Sequence, residues 1–100
     1  MPHDPLPPTG PVAARLQQKL LAAFAPAEVI VQDDSAKHAG HAGAPAGGES
    51  HFSVVVISPQ FDGLSRVDRQ RRINKVLADE LAGPVHALAV MARTPAEVGG

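Results

Sequence analysis

Two hydrophobic periods alternate along this chain of 100 residues, and each predicts one type of secondary structure. The first apolar stripe consists of Val12, Leu16, Leu20 and Phe24, with Leu21 beside them. A stripe with this spacing predicts an amphipathic helix over residues 11–24. The β-branched run at residues 29–31 predicts a short strand, and the near-continuous apolar run at residues 52–57 predicts a central strand.

The second half of the chain repeats this change of period. Residues 65–82 are predicted to form a second helix, which begins at a capping Ser65 and ends at Gly83. Its buried side is formed by Ile73, Val76, Leu77 and Leu81, with Val67 near its start. Alternation of large and small residues over 86–92 predicts a third strand, and residues 94–98 resemble a capped final helical turn.

The predicted element order is therefore α-β-β-α-β with a short terminal helix. The first two strands can pair antiparallel across the long segment 35–50, whereas a helix connects the second strand to a parallel third strand. The sequence thus predicts an α+β fold with a small mixed three-stranded sheet and helices packed on one face. The domain covers residues 11–98, and residues 1–10, with four prolines and a glycine, are expected to be a disordered tail.

Composition excludes several functional classes. The chain has no cysteine, so it has no disulfides or thiol chemistry and cannot build an iron–sulfur site alone. A net charge of −1 and three aromatic residues do not match a dedicated nucleic-acid-binding protein. No apolar run approaches the roughly 18 residues of a membrane span, and the proline-rich start is not a secretory signal, so we expect a cytoplasmic protein. We find no nucleophile–base set and no convincing paired carboxylates, and therefore expect no enzymatic activity.

Histidines are the candidate metal ligands. His38 and His41 lie three positions apart in the glycine- and alanine-rich segment 35–50, which is long for a connection in a compact domain. A solvated loop that happens to contain histidines is the alternative, because no Cys, Asp or third His completes a zinc set nearby. His86 is predicted at the start of the third strand, at the sheet end where His51 begins the central one. The loop histidines can therefore approach His86, and a soft-metal centre there would need thiolates from a second molecule.

Three further interpretations concern single histidines. His86 has two alternative interpretations: it is a metal ligand, or it is a structural residue whose imidazole hydrogen bonds to the backbone. His51 is interpreted mainly as a strand-end residue that hydrogen bonds to the loop. His3 lies in the predicted tail and is assigned no role.

Five of the nine lysine and arginine residues fall within ten positions. This basic cluster consists of Arg66, Arg69, Arg71, Arg72 and Lys75. The i,i+4 spacing of Asp68 and Arg72 is consistent with a solvent-exposed face of salt bridges. Arg66 and Arg69, however, fall in or near the first helical turn, where the helix dipole disfavours positive charge by ~0.3–1 kcal/mol each. An anionic partner, such as a nucleic-acid backbone or an acidic protein surface, would explain their presence.

Taken in order, the motifs of this chain resemble the BolA family. The matching segments are Gly48-Glu-Ser-His-Phe52, Phe61-Asp-Gly-Leu-Ser65, Arg69-Gln-Arg71, Val85-His-Ala-Leu88 and Thr94-Pro95. The resemblance covers residues 11–98 and implies a class II KH-like fold, in agreement with the element order above. Gln70, where a histidine commonly sits, and Val98, where tryptophan is frequent, depart from the family pattern.

The resemblance implies a partnership with monothiol glutaredoxins around a shared [2Fe-2S] cluster, for cluster assembly, transfer or iron sensing. Glutaredoxin and glutathione would supply sulfur and this chain nitrogen, so the isolated chain would hold no cluster. The C-terminal histidine ligand of the family corresponds to His86, and the loop ligand corresponds to His38 or His41. Without a partner, the chain would be a monomer or a weak homodimer.

DNA binding is the second hypothesis, because proteins similar to BolA are also described as transcriptional regulators. A KH module clamps nucleic acid with a GXXG loop, but Gly63-Leu-Ser-Arg66 keeps only the first glycine. Duplex DNA would instead contact the basic helix at residues 65–82 through its phosphates. Such binding depends strongly on salt and reads little sequence.

Overall fold

The computed structural model describes residues 10–34 and 50–99. In chain order it contains helix α1 (Pro11–Phe24), strand β1 (Glu28–Asp33), strand β2 (His51–Ile57), a 3₁₀ turn (Pro59–Phe61), helix α2 (Arg66–Val76), helix α3 (Ala78–Ala82) and strand β3 (Ala87–Arg93). The predicted tail up to residue 9 and the segment 35–49, with His38 and His41, lie outside the described residues. Within the described parts, no helix has the length and apolarity needed to cross a bilayer.

The three strands form one sheet in the order β1-β2-β3. β1 pairs antiparallel with β2, which places Val29 opposite Val56 and Val31 opposite Val54. β2 pairs parallel with β3, which places Val54 opposite Val90. The predicted mixed sheet is therefore confirmed, and so is the central position of β2.

The core lies between one face of this sheet and the helices. Every second side chain of β2 is buried, as expected for a strand with one packed face. The main buried apolar side chains are Val12, Leu16, Leu20, Phe24, Val29, Phe52, Val54, Val56, Phe61, Ile73, Leu77 and Val85. Leu21, expected beside the α1 stripe, is 38% exposed, since it is turned away from that stripe by one helical position. The other face of the sheet is not covered by any described residue at Ile30 and Met91, which are exposed there.

The predicted second helix is divided at Leu77. Its φ of −100° and ψ of 18° leave the α-helical region, although its N–H still donates to the Ile73 carbonyl. The prediction of a single helix over residues 65–82 is therefore wrong, and α2 and α3 replace it. The turn directs Glu80 into the interior, where its carboxylate lies 2.9 Å from the Lys19 ammonium of α1. Apolar periodicity cannot reveal this contact, because a charged residue, Glu80, occupies a buried position.

Several boundaries also differ from the predictions. β1 is longer than residues 29–31, and β3 begins one position after His86. The cap at Ser65 is confirmed, since its hydroxyl accepts a hydrogen bond from the Asp68 N–H at 3.1 Å. Gly83 ends α3 with a φ of −112°, so it does not adopt the left-handed conformation typical of a glycine cap.

Candidate functional site

Three chain segments meet at one end of the sheet. We call this the histidine end and define it by Asp34, Ser50, His51 and His86. The Asp34 N–H donates to the His51 carbonyl at 2.7 Å, and the His86 N–H donates to the Ser50 carbonyl at 2.8 Å. His51 is paired in the sheet with Ala87, the residue that follows His86. The two described histidines therefore lie at the same end of neighbouring parallel strands, as predicted.

The two histidine side chains have different surroundings. His86 is exposed, although its backbone is held by Ser50. His51 is half-buried, and its Nδ1 lies 2.9 Å from the Ser50 hydroxyl, in agreement with a strand-end residue that hydrogen bonds to its neighbour. The imidazole of His86 is therefore accessible to a ligand from outside the chain.

Residues 35–49 connect two anchored positions at the histidine end. Asp34 precedes them, and its carboxylate accepts a hydrogen bond from the Ser53 hydroxyl. Ser50 follows them and is 5% exposed. The segment that carries His38 and His41 therefore starts and finishes at the same end of the sheet as His86, while those two histidines themselves lie outside the described residues.

The side chains at the histidine end can be compared with the ligands that a soft-metal cluster needs. Among residues 10–34 and 50–99, no group of three or more His, Asp or Glu side chains is placed to hold a metal ion. The chain also has no cysteine, so it cannot supply the thiolates of a closed site. The exposed imidazole of His86 fits a single coordination position in a site that other molecules complete.

Arg69, assigned above to the basic cluster, is part of the folded interior. It is 8% exposed, and its two terminal nitrogens donate to the two carboxylate oxygens of Glu97 at 2.6 and 2.9 Å. Its Nε donates to the Leu64 carbonyl at 3.0 Å, and Nη1 also donates to the Ala92 carbonyl at 3.2 Å. The guanidinium lies 6.0 Å from the ring centroid of Phe61. The anion that we expected from a partner is therefore supplied within the chain, and we remove Arg69 from the candidate binding residues.

Sequence reasoning missed the role of Glu97, although a local signal was present. The Thr94 N–H donates to Glu97 Oε1 at 2.8 Å, and the Glu97 N–H donates to Thr94 Oγ1 at 3.2 Å. This reciprocal pair is a capping box, for which the Thr-x-x-Glu spacing is typical. The contact with Arg69 could not be predicted in the same way, because 28 positions separate the two residues.

The ion pair changes the protonation equilibria of both partners. Hydrogen bonds from Arg69, and then from the Thr94 backbone, lower the pKa of Glu97 from 4.5 to about 2. The hydrogen bond to Glu97 raises the pKa of Arg69 above its ordinary value, against the opposing effect of burial. Both groups are therefore charged at neutral pH, as a bidentate pair requires.

The remaining members of the basic cluster lie on the surface. We call them the basic face, which consists of Arg66, Arg71, Arg72 and Lys75, all exposed. Asp68 Oδ1 lies 3.6 Å from Arg71 Nη1, so within the described residues its ion pair is with Arg71 and not with the predicted Arg72. An exposed pair of this kind contributes about 0–1 kcal/mol and leaves most of the positive charge available to a partner.

A pocket of about 320 Å³ lies at the start of α2, next to the basic face. It is lined by Leu64, Arg66, Arg69, Arg93 and Glu97. Three guanidinium groups and one carboxylate give this pocket a net positive charge. It is therefore suited to an anionic group more than to a neutral or cationic one.

The sequence of this chain matches one known protein family over most of its length. The family model described as BolA-like protein matches residues 20–97. This chain belongs to the BolA family. The matched range includes the histidine end, the basic face and the capping box at Thr94, so the resemblance found in the motifs is confirmed.

Relatives of this BolA-family chain agree in sequence and in fold. BolA-like protein 1 of Pongo abelii is 49% identical over 90 residues, which are 90% of this chain and 63% of that protein. The DNA-binding transcriptional regulator BolA of Escherichia coli (strain K12) is 43% identical over 89 residues, 89% of this chain and 81% of the regulator. The solved BolA domain of SufE1 from Arabidopsis thaliana matches with a TM-score of 0.76 at 42% identity, over 88% of this chain and 96% of that domain. The chain thus spans less than two thirds of the Pongo abelii relative.

Proposed function

We propose that this BolA-family chain pairs with a monothiol glutaredoxin and supplies nitrogen ligands to a shared [2Fe-2S] cluster. Its role would be accessory, in the assembly or transfer of the cluster or in iron sensing, in the cytoplasm. The observation that carries the proposal is the exposed imidazole of His86 at the end of the sheet where residues 35–49 begin and end. The glutaredoxin would contribute cysteine sulfur, and glutathione the remaining thiolate.

In such a site, this chain would supply imidazole nitrogen as the ligand and would hold that ligand in a fixed position. The hydrogen bond from the His86 N–H to the Ser50 carbonyl fixes the backbone of the proposed ligand, so that little ordering is needed when iron binds. His38 and His41 are four and seven positions from Asp34, and at roughly 3.3–3.6 Å per extended residue either can reach back across the histidine end. One of these two residues is the proposed second ligand. Imidazole in place of thiolate raises the reduction potential of a bound cluster.

The experiment is reconstitution with a monothiol glutaredoxin, iron, sulfide and glutathione, followed by visible absorbance and circular dichroism. We expect His86→Ala to change the spectrum of the heterocomplex, because one iron loses its nitrogen ligand. His3→Ala is the matched control and should leave the spectrum unchanged. Complex formation without iron, measured by size-exclusion chromatography, separates lost ligation from lost partner binding. A heterocomplex spectrum that does not respond to His86→Ala would contradict the proposal.

Two further variants distinguish His38 from His41 as the second ligand. His38→Ala and His41→Ala are compared in the same reconstitution, and only the ligand's replacement should reproduce the spectral change of His86→Ala. If the double variant His38→Ala/His41→Ala also leaves the spectrum unchanged, neither loop histidine is a ligand, and the proposed pair is reduced to His86.

We also propose DNA binding as a second candidate function, because the basic face is exposed and an E. coli relative is named a DNA-binding transcriptional regulator. The four basic side chains would contact phosphates, without direct reading of bases. In a fluorescence titration with duplex DNA, the double variant Arg71→Ala/Arg72→Ala should weaken binding and reduce its dependence on salt. The control is Arg15→Ala, which removes an exposed arginine from α1. Absence of salt-dependent binding by the unmodified protein at low ionic strength would exclude this function.

A further inference from the structure

β3 is an edge strand, and among residues 10–34 and 50–99 no strand pairs with its outer side. The Arg93 carbonyl accepts a hydrogen bond from the Ser58 N–H next to β2, and the Ala87 N–H also points toward β2. Because backbone groups alternate in direction along a strand, those of Leu88, Val90 and Ala92 point away from the sheet. An edge of this kind can pair with another strand.

One end of this open edge is already blocked. The Ala92 carbonyl accepts hydrogen bonds from Arg69 Nη1 at 3.2 Å and from Arg93 Nη1 at 3.0 Å. Two donors saturate the lone pairs of one carbonyl oxygen. The complete sets of N–H and C=O groups left for pairing on the outer side of β3 are therefore those of Leu88 and Val90.

The side chains of β3 do not protect this edge. Residues 87–92 contain neither charge nor proline, which are common means of preventing edge-to-edge pairing. The other edge strand, β1, carries Glu28 and Asp33 at its two ends. β3 likewise carries its charge only at its end, at Arg93, so the side chains of residues 87–92 are compatible with pairing to a second strand.

We propose that β3 pairs antiparallel with β3 of a second copy of this chain, with the twofold axis at Ala89. In this register Leu88 exchanges both backbone hydrogen bonds with Val90 of the second copy, and Val90 does the same with Leu88. The N–H and C=O groups of Leu88 and Val90 on each strand are then all used. An axis at Val90 would need the blocked Ala92 carbonyl, and an axis at Leu88 would need the His86 N–H, which is bonded to Ser50.

The exposed side chains also suit this register. Ala89 faces Ala89 of the second copy at a non-hydrogen-bonded position, where Cα atoms approach to about 4.5 Å and a small residue fits. Met91 faces Ala87 of the second copy, so a large side chain meets a small one. No like charges are opposed along residues 87–91, and the result is a continuous six-stranded sheet with an isologous interface.

Because the chain has no cysteine, the axis can be tested with a single thiol. A Cα separation of about 4.5 Å across the axis lies within the range that a disulfide bridges. We expect Ala89→Cys to be converted to a disulfide-linked dimer under mild oxidation. Gln32→Cys, exposed on the same sheet face but on β1, is the control and should form no disulfide-linked dimer. If both variants cross-link equally slowly, the proposed register is wrong.

A charge-pair experiment provides an independent readout. Sedimentation velocity of the unmodified protein should show a dimer fraction that rises with concentration. Ala89→Lys and Ala89→Glu should each abolish it, because like charges then meet on the axis, and an equimolar mixture of the two should restore a dimer. Equal melting temperatures of the variants would show that the fold is retained. An unmodified protein that stays monomeric at all concentrations, or a dimer that survives Ala89→Lys, would overturn the proposal.

Discussion

Arg69 and Glu97 form a bidentate ion pair that ties α2 to the turn after β3. The two nitrogen–oxygen distances are 2.6 and 2.9 Å, and the same guanidinium reaches the carbonyls of Leu64 and Ala92. One side chain thus donates to a backbone acceptor within the crossover connection, Leu64, and to another in β3, Ala92. Its loss would leave the Leu64 carbonyl without this charged donor, whereas the Ala92 carbonyl would keep only the hydrogen bond from Arg93 Nη1.

We therefore expect Arg69→Ala to lower both the melting temperature and the urea midpoint. The physical reason is the loss of four hydrogen bonds together with packing against Phe61. Arg71→Ala is the matched control, because the Arg71 side chain is 75% exposed and its only recorded ion pair with a described residue is the 3.6 Å contact with Asp68. Its effect should be the smaller of the two in thermal and urea unfolding. Equal effects would mean that Arg69 is not structural.

The same ion pair predicts a pH dependence of stability. The pKa of Glu97 is lowered from 4.5 to about 2 in the folded state, so between these values the unfolded chain binds more protons at this position. The contribution of Glu97 is therefore fully present above pH 4.5 and is lost as the pH falls toward 2. Urea unfolding at several pH values should show that the stability difference between the unmodified protein and Glu97→Gln narrows over this window. A difference that stays constant would refute this assignment.

How much of the fold was predictable depends on what determines each element. Local apolar periodicity fixed α1 and β2, because burial of a regular stripe selects one helix face or one strand face. The division of the second helix at Leu77 accompanies a contact between Glu80 and Lys19, 61 positions apart. A pattern that treats charged residues as exposed cannot contain this information.

The candidate site shows the same limit. The convergence of His51 and His86 at one sheet end follows from the parallel crossover and was predictable from element order. The burial of Arg69 was not, because the helix-dipole argument considers only the local cost of a positive charge and not a carboxylate delivered by a distant turn. A basic residue whose charge is unfavourable in the first turn of its helix can thus indicate an ion pair within the fold as well as an external anionic partner.

The contrast between Leu20 and Leu21 tests the orientation of α1. Leu20 is fully buried whereas Leu21 is 38% exposed, although sequence analysis placed them side by side. We expect Leu20→Ala to destabilise the fold by about 2–5 kcal/mol through lost burial and a residual cavity. Leu21→Ala should be closer to the roughly 0.5 kcal/mol of a surface substitution. Chemical denaturation of both variants measures the difference, and similar losses would mean that the buried stripe of α1 is wrongly assigned.

The cap at Ser65 connects helix stability to the position of the basic face. Its hydroxyl accepts the Asp68 N–H at 3.1 Å, and α2 starts directly at Arg66. Ser65→Ala should lower the free energy of unfolding by about 0.5–2 kcal/mol, because a backbone donor of the first turn loses its partner. Ser65→Asp is the informative control, since aspartate is an equally good cap and its negative charge favours the helix N-terminus. Urea unfolding should therefore show a loss for alanine and no loss for aspartate, whereas equal losses would show that the hydroxyl acts through another contact.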